Sequence, residues 1–167
     1  MIAFNASTLI LLAKADLLEM FLENIGQPAA IPKEVERECC GGQQSLDALL
    51  IQKAIDEKKI KVVAVKDRKV YGKILRDFPL GRGEAEAIAL AVSEKAALLG
   101  IDDRQGINAC KLLGIPFTTA LNILIRMREK GFMERDAALM KLESLGKYGR
   151  YKAAILKDAR SKWEGEK

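Results

Sequence analysis

Five short apolar runs, each followed by a stretch of helical periodicity, constrain this chain more than any other feature. They are "IAF" (2–4), "AAIP" (29–32), "IKVVAV" (60–65), "AALLGID" (96–102) and "IPFT" (115–118). Each is too short for a helix, and β-branched "IKVVAV" is the clearest strand of the set. Between them, "LILLAKADLLEMFLEN" predicts two short helices with a break near Lys14–Asp16, and Ser7 or Thr8 is positioned to cap the first of these at Leu9. "PKEVERECC" opens with Pro32 in its first turn and closes at Gly41-Gly42. "QSLDALLIQKAIDEKK" is amphipathic, with Leu46, Leu49, Leu50, Ala54 and Ile55 on one side. Further helices are predicted over "KVYGKILRDF", from Glu84 to about Lys95, over "RQGINACKLLG", and over "TALNILIRMREKG" up to Gly131. Two more, "ERDAALMKLESLG" and "RYKAAILKDARSKWE", follow from about residue 134. Strands alternating with helices predict an α/β fold with a mostly parallel sheet. With 167 residues and no linker, repeat or low-complexity tract, a single domain over 1–167 is expected.

Composition narrows the chemistry. Aromatic residues make up only 5%, so the core must be aliphatic. There is no histidine, which excludes Ser-His and Cys-His catalysis and histidine-bearing zinc sites. The cysteines, Cys39, Cys40 and Cys110, are odd in number and follow no disulfide spacing, as expected of a reduced cytoplasmic protein. Lys14 and Asp16 interrupt the early apolar run, so no membrane span is expected, and no signal peptide is visible. Charge alternates along the chain. Residues 1–52 carry 3 basic and 7 acidic side chains, 53–76 carry 9 and 3, 77–125 carry 4 and 6, and 126–167 carry 12 and 7. Basic segments of this kind are solvated faces or a footprint for a polyanion. Acidic segments beside phosphates make sense where a cation stands between them.

The acids fall at informative places. In open α/β sheets ligands bind outside the carboxyl ends of the strands. Asn5 and Ser7 follow the first strand, Asp102 and Asp103 follow the fourth, Glu38 lies in the helix after the second, and Glu84 and Glu86 open the helix before the fourth. Each has an ordinary explanation as well: glutamate in a first helical turn favours the helix dipole, and Asp103 can cap the helix from Arg104.

Five stretches, "NASTLILLAK", "IPKEVERE", "GRGEAEAIALA", "IDDR…ACKLLGI" and "TTALNILIRMREKG", occur in that order, followed by "LGKYGRYKAAILKDA". Together they resemble the PIN-domain family, in particular a prokaryotic branch with Gly-Glu-x-Glu-Ala-Ile and Asp-Asp-Arg motifs. The resemblance implies a three-layer fold: a parallel five-stranded sheet in the order 3-2-1-4-5 with helices on both faces. It implies a metal-dependent ribonuclease, like the VapC toxins of toxin–antitoxin pairs, with one or two Mg²⁺ or Mn²⁺ ions in an acidic pocket. On this chain the family's first acid falls on Asn5, beside Ser7; the second on Glu38, with Glu34 and Glu36 as rivals; the third on Glu84, with Glu86 beside it; the fourth on Asp102 or Asp103. Thr118 and Thr119 stand where the family has a Gly-Thr pair. Asn5 departs from the family's usual aspartate and removes one charge.

The chemistry agrees with that carry-over. An all-oxygen set of Glu and Asp suits Mg²⁺ or Mn²⁺ rather than zinc. Glu84 and Asp102 or Asp103 are the expected direct or water-mediated ligands, with Glu86 and Glu38 orienting water and Asn5 offering an amide oxygen. Arg126, Arg128 and Lys130 are the candidate contacts to an RNA backbone. RNA is the expected partner, an antitoxin protein a second, and a homodimer the expected assembly. Two other classes compete: a PIN-fold module that binds RNA or protein without cleaving it, which Asn5 favours, and a phosphohydrolase of small esters. The chain lacks both an Asp-x-Asp after its first strand and a P-loop, so neither a phospho-aspartate phosphatase nor an NTPase fits.

Overall fold

The computed structural model describes residues 1–42 and 44–165; the expected domain end at residue 167 lies outside the described residues. The elements run β1 (Ile2–Phe4), α1 (Ala6–Lys14), α2 (Leu18–Asn24), β2 (Ala29–Pro32), α3 (Lys33–Cys40), α4 (Leu46–Asp56), β3 (Ile60–Val63), α5 (Arg68–Asp77), α6 (Arg82–Ser93), β4 (Leu98–Gly100), α7 (Arg104–Leu113), β5 (Phe117–Thr118), α8 (Ala120–Glu129), α9 (Arg135–Tyr148) and α10 (Ala153–Glu164). All four strand pairings are parallel, in the order β3-β2-β1-β4-β5. Ile2 lies opposite Ala29 on one side and Leu98 on the other. The expected sheet order therefore holds, and the order reverses between β1 and β4, the switch point at which such sheets open a crevice.

The physics of the elements explains both the agreements and the differences. The break at Lys14–Asp16 is real: Asp16 has φ 54°, and Lys141 donates to its carbonyl oxygen at 2.6 Å. α1, however, starts at Ala6 with Asn5 as its N-cap residue, three residues before the expected start. Ser7 and Thr8 are thus inside the helix, and their hydroxyls are engaged elsewhere. Pro32 ends β2 and stands as the N-cap residue of α3, not in its first turn. On α4 the buried stripe is Ala48, Ile51 and Ala54, while Leu46 (72% exposed) and Leu49 (55%) face outward. The smaller residues face inward because α1 and α3 pack closely there. The most β-branched run forms β3, an edge strand of four residues, because only four residues of β2 are available to pair with it.

α6 carries the opposite lesson. Gly83, Ala85, Ala87, Ile88, Ala89, Leu90 and Ala91 are all buried, so nearly the whole girth of this helix is covered. Small side chains let it approach β1, β2 and β4 together with α3 and α5. Because α6 runs antiparallel to the strands, its N-terminus lies at their carboxyl edge, where α1, α3, α7 and α8 also begin. The positive ends of five helices gather there.

Candidate active site

The switch point is built from two strand ends. Asn5 follows β1, and its backbone N–H donates to the Gly100 carbonyl at the end of β4 at 2.8 Å. Two residues past that carbonyl comes Asp102. Asn5 is 2% exposed. Its Nδ2 donates to Ser7 Oγ at 3.1 Å, and Ser7 Oγ accepts the Asp102 N–H at 3.0 Å. Its Oδ1 is buried and has no hydrogen-bond partner among the described residues. A buried amide oxygen without a partner is costly, on the order of 1–3 kcal/mol, and such an atom calls for a role.

Asp102 is the most connected side chain of the site. Its Oδ2 accepts from Thr8 Oγ1 at 2.7 Å and from the Ala120 N–H at 2.9 Å. Its Oδ1 accepts the hydroxyl of Tyr151. Burial pushes its carboxyl above the ordinary aspartate value, while the donors from Tyr151, Thr8 and Ala120 pull it back. Tyr151 in turn accepts the Leu121 N–H at 3.2 Å, and burial together with the adjacent Asp102 charge keeps its phenol protonated. The first three N–H groups of α8 are thus taken in succession: Ala120 by Asp102, Leu121 by Tyr151, and Asn122 by Thr119 Oγ1 at 3.2 Å.

A second group lies on α3 and α6. Glu38 reaches from α3 onto Gly83, where an added Cβ would collide with its carboxylate. Glu38 is exposed along part of its length. Its carboxyl is nevertheless pushed up, first by burial, then by the charges of Glu84 and Glu34, against a lowering hydrogen bond from Gly83. Glu84 accepts the Gly81 N–H at 2.6 Å, capping its own helix with one oxygen. Among the described residues no three acidic side chains form a ready-made metal cluster.

The geometry sorts the expected residues. Asn5, Ser7 and Asp102 come together, and Glu38 meets Glu84. Asp103 serves as a cap: its Oδ2 accepts the Gly106 N–H at 2.9 Å at the start of α7. Glu86 is also engaged, accepting the Glu34 N–H at 3.1 Å and pairing with Arg68 at 3.2 Å. Glu34 pairs with Arg37. Thr118 ends β5, and Thr119 serves as a helix cap. Arg126, Arg128 and Lys130 lie at the far end of α8 from Asp102. Arg126 pairs with Glu129 at 3.1 Å, and Arg128 donates to the Met133 carbonyl at 3.3 Å. Cations that do open at the carboxyl edge are Lys33, Arg82 and Arg104, the first residues of α3, α6 and α7; all three are exposed. Thr8 and Tyr151 escaped the sequence reading. Tyr151 lies 49 residues from its partner, in a stretch expected to open the last helix, which instead begins at Ala153 and leaves Tyr151 in the preceding turn; Thr8 was visible only as a helix cap.

A family model described as a PIN domain matches residues 1–164. The chain belongs to the PIN-domain family. Among curated proteins none matches it. PIN domains are generally nucleases that use divalent metals, and the chain's sheet order is the one the family resemblance led us to expect. Of the described helices in this PIN domain, none is long and apolar enough to cross a membrane.

Proposed function

We propose that this PIN domain is a Mg²⁺- or Mn²⁺-dependent ribonuclease whose site lies at the β1/β4 switch point. The observation that carries the reading is the buried, unpartnered Oδ1 of Asn5, joined through Ser7 to the Asp102 network. An all-oxygen set fits a hard cation. Mg²⁺ keeps several waters and needs only one or two carboxylates plus substrate phosphate, so the lack of a three-acid cluster among the described residues is compatible with it. Asn5, Glu84 and Asp102 would hold the ion, which would activate water and offset charge on the phosphodiester. Thr8, the Ala120 N–H and Tyr151 orient Asp102. Glu38, held against Gly83, would orient water and, with its raised proton affinity, accept a proton. Asp103 and Glu86 act through the backbone as caps and ties.

The test is cleavage of a labelled single-stranded RNA with Mn²⁺ or with chelator. Native protein should cleave only with Mn²⁺, and Glu84→Gln, which keeps a cap acceptor but loses the charge, should not. Cleavage unchanged in chelator would sink the reading. If the protein acts as a toxin, expression should arrest growth, and Glu84→Gln should relieve the arrest. Asn5 favours a second reading, an RNA-binding PIN module without turnover. It predicts tight RNA binding with no cleavage at any Mn²⁺ concentration.

A further inference from the structure

We infer that Tyr151 is a positioning residue of this site: its hydroxyl, delivered by the turn between α9 and α10, fixes the Asp102 carboxylate, so that the C-terminal helical hairpin completes the site. The inference rests on the nuclease reading above.

Two donors hold Oδ2 of Asp102, from Thr8 and Ala120, and the Tyr151 hydroxyl donates to Oδ1. Held at one oxygen, a carboxylate can still pivot; held at both, its plane is set. The direction of the phenol proton is set too. The Leu121 N–H already donates to the Tyr151 oxygen at 3.2 Å, so the hydroxyl spends its single proton on Asp102. The phenol therefore joins three elements, the β4 end, the start of α8 and the α9–α10 turn, at one atom.

The turn is shaped for this ring. Gly149 ends α9, and an added Cβ there would lie 2.6 Å from Cε2 and 2.9 Å from Cδ2 of Tyr151, and 2.8 Å from the Leu145 carbonyl oxygen in the last turn of α9. Residues 150–152 belong to no helix or strand. Beyond them, α10 buries only Ala159 and Trp163 and packs chiefly on α9. From this hairpin the Tyr151 side chain ends on the site's central carboxylate. Nothing about core packing requires a hydroxyl at that place; a phenylalanine would fill the same space.

Two variants test the role from different residues. Tyr151→Phe removes only the hydroxyl, and Gly149→Ala crowds the ring together with the last turn of α9, so its melting temperature is read beside its kcat. Hydrogen-bond partners of metal-ligating carboxylates are typically worth 10–100-fold, so both variants should lower kcat for Mn²⁺-dependent RNA cleavage by roughly that factor, with KM changed less than about twofold. The Mn²⁺ concentration giving half of the melting-temperature shift should rise in parallel; this readout needs no turnover. A variant that melts lower but keeps native kcat and native Mn²⁺ dependence would make Tyr151 a structural prop and overturn the inference. Should Tyr151→Phe fail to fold, Gly149→Ala carries the same test. A native protein that neither cleaves nor responds to Mn²⁺ would instead remove the nuclease reading, and this inference with it.

Discussion

Asn5 sets the character of the site at the scale of a single residue. Its neutral Oδ1 is buried without a partner, so Asn5→Asp would place a charge where no donor waits. In chelator that variant should lose about 1–3 kcal/mol, since a buried carboxylate without compensation is costly and Asp102 lies in the same network. In Mn²⁺ it should recover and bind the ion more tightly than the native chain; melting both proteins with and without Mn²⁺ decides it, and parallel behaviour would place Asn5 outside the site. Asp102 makes a pH prediction. Its folded value lies above the unfolded one, with burial as the largest cause. The folded chain therefore holds that proton longer than the unfolded chain, and the stability this contributes is complete below the unfolded value and lost as pH rises through the folded one. Asp102→Asn removes the titration. Urea unfolding from about pH 4 upward should show the native chain losing stability relative to the variant; a constant difference would contradict the assignment. The acids themselves were legible in the sequence, but their roles were not. Asp102 and Asp103 are adjacent and chemically identical, and only the direction of each side chain separates a hub from a helix cap.

Among the elements, α6 shows why two carboxylates open a helix that is buried almost all round. Glu84 caps the helix through Gly81 and faces Glu38, whereas Glu86, two residues on, points to Arg68 and the start of α3. Two residues on a helix differ by about 200° in direction, and the two carboxylates accordingly take different partners. Gly83 separates fold from function here. An added methyl would meet the tip of Glu38, the far end of a flexible and partly exposed side chain that can move aside. Alanine also favours helix over glycine by roughly 1 kcal/mol. Gly83→Ala should therefore melt at the native temperature or slightly above it while losing most RNA cleavage, because Glu38 is displaced; native activity in that variant would show that Glu38 has no part in the site. Helices and strands were readable from periodicity to within a few residues. α4 was the exception, since periodicity gives the presence of an apolar stripe but not whether leucine or alanine faces a crowded neighbour.

For the whole molecule, the order of strands was legible only through the family resemblance, because alternation predicts a parallel sheet but does not rank its strands. Charge was the least legible property, since a basic segment in sequence need not be a basic surface beside the site. The cations read from the sequence, Arg126, Arg128 and Lys130, sit at the end of α8 remote from Asp102, and Arg126 and Arg128 are engaged locally. Around the carboxyl edge stand Lys33, Arg82 and Arg104, and Arg150 and Lys152 flank Tyr151; all five are exposed, and among the described residues none of them forms an ion pair. Helix N-termini at the same edge add positive partial charge. An RNA strand entering the crevice would meet these cations before the acids. Each phosphate contact on a single strand contributes about 0.7 to the slope of log affinity against log salt, so replacing Arg82, Arg104, Arg150 and Lys152 with alanine should flatten the slope by about 2–3. Replacing Arg126, Arg128 and Lys130 should change it by less than about 1 on the same scale. Fluorescence anisotropy with a labelled single-stranded RNA across a salt series, in chelator so that no cleavage intervenes, gives both slopes directly. The reverse ranking would move the RNA path to the far end of α8 and away from Asn5 and Asp102.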